Sequence, residues 1–151
     1  MAIASHVNQP VPFPYAEAAG TANKNGIIFE SAARTESANP DGLGAGVYAS
    51  AEMHNFGAKG VDLFLVSTSS GAGTVTAKIQ KKDPASGTWI DLTSGATAAQ
   101  ADPGSAVLTI YPGIAETANV SVSDHLGCTW RVVVTVATAS VTFSVGATYL
   151  Y

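Results

Sequence analysis

Residues 74–92, TVTAKIQKKDPASGTWIDL, constrain the fold more than any other stretch. Val75, Ala77 and Ile79 alternate with Thr74, Thr76, Lys78 and Gln80, the period of a strand with one buried face. Trp89, Ile90 and Leu92 read as apolar positions of a returning strand. Between them, Asp83-Pro84-Ala85-Ser86-Gly87 supplies turn chemistry: Pro84 fixes φ, Asp83 can bond its own turn backbone, and Gly87 tolerates positive φ. The stretch is therefore a β-hairpin, and its turn sets the register that decides which face each side chain takes.

Further strand signals follow at short spacing. Residues 61–67 place Val61, Leu63 and Leu65 on one face; shorter strands are expected over 106–111 and 119–123, with Pro112-Gly113 stopping the first. Residues 129–137 and 141–151 read as a last hairpin, with Trp130, Val132, Val134 and Val136 in one row and Val141, Phe143, Val145, Ala147 and Tyr149 in another. These rows, with Trp89, Ile79 and Leu65, make a sandwich core. The expected fold is all-β, an antiparallel β-sandwich of about seven strands over residues 59–151.

Residues 1–58 have a different texture. Pro10, Pro12 and Pro14 alternate with Val11 and Phe13, favouring an extended path, and NPDG at 39–42 is a strong turn signal. Short strands fit Ile27-Ile28-Phe29 and Val47-Tyr48. The segment reads either as a disordered leader or as an extended N-terminal arm ordered against a partner. Its apolar residues favour the arm. Pro12, Phe13, Pro14, Tyr15, Ile27, Ile28, Phe29 and Tyr48 are then the partner-binding residues, with Pro10 stiffening the path.

Only 12% of the 151 residues are charged and the net charge is -4. With seven Lys and Arg and no basic run, a nucleic-acid surface is not expected, because phosphate binding needs clustered cations. Lys78, Lys81 and Lys82 read as a solvated hairpin rim. The N-terminus has neither the basic start nor the apolar core of a secretory signal, and no stretch approaches the roughly 18 apolar residues of a membrane span.

Catalytic and ligand motifs are sparse. His6, His54 and His125 lack the close spacing of metal-ligand pairs, so no metal or cofactor is expected. Asp124 and His125, if on a strand, point to opposite faces and cannot relay protons to a serine nucleophile. Cys128 has no neighbouring base and reads as a small buried hydrophobe. Asp62, Asp83, Asp91, Asp102, Glu116 and Asp124 fall in turns or on exposed strand faces. The glycines at 42, 44, 46, 71 and 73 are not followed by the lysine of a phosphate loop, and Asn119-Val120-Ser121 is a coincidental glycosylation match. Trp89 and Trp130 could stack sugars if exposed, but their strands favour core packing. The chain reads as a non-enzyme.

Four pieces together resemble small structural proteins of tailed-bacteriophage virions, of the capsid decoration or cement kind. They are GAKGVDLFL (57–65), KDPASGTW (82–89), IYPG (110–113) with NVSVSD (119–124), and TWRVVV (129–134) with Tyr149-Leu150. The resemblance covers residues 55–151 and lies in the order and spacing of the pieces. It implies a non-enzymatic protein on the capsid exterior, made in the host cytoplasm, with the major capsid protein as partner. Homo-oligomerisation is also expected, with a trimer favoured over a dimer. Other virion parts (tail, head-tail connector, spike or adhesin) and a carbohydrate-binding sandwich are the alternatives.

Overall fold

The computed structural model describes residues 26–69, 72–101 and 103–151. Among the described residues, ten strands run in chain order: β1 Ile27–Arg34, β2 Val47–Ala49, β3 Met53–His54, β4 Gly60–Ser69, β5 Thr74–Lys82, β6 Trp89–Ala96, β7 Gly104–Ile110, β8 Ser121–Val122, β9 Thr129–Ala137 and β10 Val141–Leu150. They form two sheets, one ordered β1-β10-β4-β7-β8 and the other β2-β9-β5-β6, with β3 also pairing β9. We call these the first and second sheets. Pairing is antiparallel except for the short parallel contact of β7 with β8. The all-β sandwich expected from the sequence is therefore present: residues 59–151 supply seven strands, β4 to β10, as expected, and β1, β2 and β3 join the two sheets from residues 27–54.

Alternation builds the core as the sequence requires. Leu63, Leu65, Leu108, Ile110 and Phe143 of the first sheet are fully buried with Val75, Ile79, Trp130, Val132 and Val134 of the second. Burying such side chains is worth roughly 1.5–3 kcal/mol each, the main favourable term in a sandwich.

The hairpin at residues 74–92 forms as β5 and β6. The Asp83 carboxylate accepts from the Ala85 and Ser86 amides and from Ser86 Oγ, the Gly87 amide donates to the Asp83 carbonyl, and Gly87 has φ +73°. The turn pairs Lys82 with Trp89 and Gln80 with Asp91. That register corrects the placement of Trp89 in the core: it shares the outward face of Lys82 and is half-buried there. Ile90, opposite Lys81 beyond the end of the core, is 56% exposed. Leu92, next to the outward Asp91, faces the core by simple alternation, and a register shift follows it before Ala96.

Residues 129–151 are not a hairpin. β9 pairs β5 and β2 in the second sheet, whereas β10 pairs β1 and β4 in the first. The turn at 138–140, with Thr138 at φ +75°, carries the chain across the sandwich as an arch. Both strands still point the expected rows at one core, but from opposite sides.

The boundary at residue 58 is also corrected. β1 is the edge strand of the first sheet against β10, and β2 and β3 flank β9 in the second. Phe29 is buried and edge-on to Phe143, with ring centroids 6.0 Å apart, while Ile28 and Tyr48 pack on the core. Phe29 and Tyr48 thus pack within the protein's own globule rather than in a separate arm. Ile28 joins them, and Ile27 is paired in β1. Pro10, Pro12, Phe13, Pro14 and Tyr15 lie outside the described residues. Cys128 is exposed, contrary to the buried position expected of it, because it sits in the loop before β9.

Candidate docking face

The two outer faces of the sandwich differ in chemistry. On the second sheet, Arg131 Nε donates to Gln80 Oε1 at 2.7 Å, Gln80 Nε2 donates to Asp91 Oδ1 at 2.6 Å, and Lys78 Nζ meets Asp91 Oδ2 at 2.8 Å. Trp89 lies under this ladder, with the Arg131 guanidinium carbon 4.4 Å and Lys82 Nζ 5.4 Å from its ring centroid. Lys82 also pairs with Glu52 at 2.6 Å. Hydrogen bonds from Lys78 and then Gln80 hold the Asp91 carboxyl below its ordinary range. This face is charged, cross-linked and wet.

The outer face of the first sheet is nearly uncharged. Phe64 and Val66 of β4, each 39% exposed, and Val107 of β7, 45% exposed, stand together there. Register places Ile27, Gly146, Phe64 and Val107 in one transverse row over β1, β10, β4 and β7. A second row puts Ser144 and Ser105 on either side of Val66. At the end of β4, the Asp62 carboxylate accepts a hydrogen bond from Thr109 Oγ1 at 2.6 Å. Arg34, the cation of β1, turns back over the Phe143 and Phe29 rings at 4.5 and 5.2 Å.

Within this face lies a groove of about 730 Å³, walled by Phe64 and Val66 on one side and Ile27 and Glu30 on the other. Gly146, having no side chain, leaves its floor low between Phe64 and Ile27. A Cβ there would lie 3.1 Å from the Gly26 carbonyl oxygen, so the dip and the close approach of the entering chain share one cause. Phe64 and Val66 fall at the outward positions of β4, and sequence reading assigned them no role beyond that. The signal was there: two large apolar residues on the outer side of a strand whose single charge is Asp62.

Of the residues singled out for chemistry, Asp124 and His125 do come together, in the loop after β8 rather than on a strand. His125 Nδ1 lies 3.1 Å from Asp124 Oδ1, and Lys81 Nζ takes Asp124 Oδ2 at 2.7 Å. Burial pushes the Asp124 carboxyl up, and bonds from Lys81 and the His125 amide outweigh it, leaving the group below its ordinary range. His54 sits at the β3 end near Glu52 and Phe56, remote in sequence and strand from His125. Among the described residues, no group of three or more His, Cys, Asp or Glu could hold a metal ion.

The class defined by this architecture is a two-sheet β-sandwich with one charged outer face and one neutral, apolar-centred outer face. Comparisons with protein-family models, curated proteins and solved structures found no match to the chain.

Proposed function

We propose that this chain is a non-enzymatic decoration (cement) protein of a tailed-phage head. It sits on the outer surface of the capsid, has the major capsid protein as its partner, and stabilises contacts between capsomers. The resemblance of residues 55–151 supplies the virion setting, and the neutral patch of Phe64, Val66 and Val107 is the observation that carries the mode of attachment. A protein that must lie on a shell needs one face that loses little on desolvation and one that stays hydrated. Burying neutral apolar surface avoids the cost of desolvating charged groups, which the opposite face would incur even with its charges paired. A ligand that binds only the assembled shell stabilises that shell by mass action, and homo-oligomerisation, here as a trimer, multiplies the effect. Gripping is therefore assigned to a rigid sheet face, not to an arm containing Phe29 and Tyr48.

Co-sedimentation of purified protein with empty shells tests the assignment. Val107→Asp is expected to weaken binding by about tenfold or more, since an unpaired carboxylate at a buried contact costs well over ~1.4 kcal/mol. Lys78→Ser on the opposite face leaves binding unchanged. Equal binding by both variants and the parent chain would remove this face from the mechanism. Copy number per particle separates decoration from a tail or connector role.

A carbohydrate-binding reading has one observation in its favour: Trp89 is on an outer face beside hydrogen-bonding side chains, not in the core. Arg131 and Lys82 already occupy positions over that ring. Glycan-array binding lost on Trp89→Ala would establish it.

A further inference from the structure

The edge strands β1, β2 and β6 are each blunted against further pairing. On β1, two register shifts break the line, and the Arg34 guanidinium donates to the Glu30 and Ala32 carbonyls. On β2, the Asp41 carboxylate accepts from the Ala49 amide at 2.8 Å. The β6 edge carries a register shift and Ser94 at φ +59°. Such devices keep an edge from templating another strand. β7 has none of them. It pairs β4 without a shift from Gly104 to Ile110, and β8 covers it only at Thr109 and Ile110. The Thr109 and Tyr111 amides donate toward β8, to the Val120 and Val122 carbonyls. By alternation the amides and carbonyls of Ser105 and Val107 point to that same side. Both residues are exposed, and among the described residues no strand meets them there. Residues 104–108, GSAVL, also carry no charge. We propose that this stretch of β7 pairs with the same stretch of a second copy of the chain, antiparallel about a two-fold axis at Ala106.

The edge is complementary to itself. Ser105 of each copy faces Val107 of the other, and each such pair exchanges both of its backbone hydrogen bonds. The lane beside β7 is short, because β8 occupies it from Thr109 onward, and a longer extended segment would run into β8. A second β7 ends where it must. Its chain arrives from Gln100, which is tied to Val75 of the other sheet by amide–carbonyl bonds of 2.8 and 3.0 Å, so it drops out of the lane just before Gly104. Pro103, the last residue before the strand, has no amide to leave unpaired. A two-fold axis between antiparallel strands stands perpendicular to the sheet, so the outer faces of both first sheets lie on the same side. The contact uses main-chain atoms at the rim and leaves Phe64 and Val66 uncovered. It is distinct from the threefold contact of the proposed trimer and joins a subunit of one trimer to a subunit of the next.

Disulfide trapping in the purified full-length protein tests this without any shell, so its outcome is separate from that of the attachment experiment. In a Cys128→Ser background, Ala106→Cys sets two thiols across the axis at a non-hydrogen-bonded pair. Cα atoms of such pairs lie about 4.5 Å apart, within disulfide reach. Covalent dimer on a denaturing gel is expected about tenfold or more above that of Thr93→Cys on the blunted β6 edge, because pairing raises the local thiol concentration at one edge only. Adding Ser105→Pro, which removes an edge amide but no bond to β4, is expected to abolish the excess. Hydrogen exchange of the unmodified chain gives a readout free of any substitution: the Ser105 and Val107 amides slow by about tenfold or more as pairing is driven by protein concentration. Covalent dimer at the Thr93→Cys level, or fast exchange at Ser105 and Val107 at every concentration, overturns the proposal.

Discussion

Tyr48 and Thr35 exchange two hydrogen bonds across the seam between the sheets: the Tyr48 hydroxyl donates to the Thr35 carbonyl at 2.7 Å and accepts from the Thr35 amide at 3.0 Å. Tyr48 belongs to β2 at one edge of the second sheet, and Thr35 immediately follows β1 at one edge of the first. The pair thus ties the two edge strands contributed by the N-terminal third of the chain. Tyr48→Phe keeps the ring and removes both bonds. A loss of about 1–2 kcal/mol is expected in urea unfolding. An unchanged midpoint would show that the seam is held elsewhere.

Arg34 plugs the same seam. Its guanidinium lies over the Phe143, Phe29 and Tyr48 rings and donates to the Phe143, Ala32 and Glu30 carbonyls. Burial pushes its pKa down, with the Tyr48 and Glu30 charges pulling the other way. Arg34→Ala removes ring contacts and charge-assisted bonds together, and a cost of about 1–3 kcal/mol follows. Arg34→Lys recovers only part of it, because an ammonium cannot cover the rings as a planar fork does.

Two truncations separate the globule from what precedes it. Deleting residues 1–25 leaves all ten strands, and the unfolding free energy is expected to stay within about 1 kcal/mol of the full chain. Deleting residues 1–50 removes β1 and β2 and uncovers Phe143, Val145 and Val134 at two sheet edges. That variant should lose its cooperative transition in circular dichroism, since exposed edges and a breached core act together. A cooperative transition retained after the longer deletion would mean that β1 and β2 are accessories.

Acid should destabilise the protein through its paired carboxylates. Asp91, Asp83 and Asp124 all have depressed folded-state pKa values, from bonds to Lys78, to Ser86 and, against a burial effect, to Lys81 respectively. A carboxyl whose folded pKa lies below its unfolded value of about 3.9 contributes stability that is complete above that value and lost as pH falls through the folded pKa. Urea midpoints are therefore level from about pH 7 to about pH 5 and fall below about pH 4. Asp91→Asn should shrink that acid-side fall; a slope identical to the parent's would deny Asp91 a part in it.

At the alkaline end, burial raises the Tyr149 hydroxyl above its ordinary value, and its donated bond to the His54 carbonyl at 2.8 Å needs the proton. Stability linked to this group is fully present below the unfolded value of about 10 and is lost as pH rises from there through the higher folded value. Tyr149→Phe removes that alkaline sensitivity while costing about 1 kcal/mol at neutral pH.

The sequence by itself determined the class of fold, the inward rows Val61-Leu63-Leu65 and Val75-Ala77-Ile79, and the Asp83–Gly87 turn, because these depend on strand period and local turn chemistry. Tertiary structure alone decided which strand pairs with which. An apolar row buries equally well in a hairpin or in an arch across the sandwich, so nothing local distinguishes β9 paired with β10 from β9 and β10 in opposite sheets. The same gap made residues 27–49 read as an arm: each strand there is short and weakly apolar, and only the waiting edges of β10 and β9 give it a place. Trp89 is an intermediate case, since its outward face was encoded in the turn register opposite Lys82 while its strand's composition pointed inward. The apolar centre around Phe64 is likewise collective, for it exists only once β1, β10, β4 and β7 lie side by side.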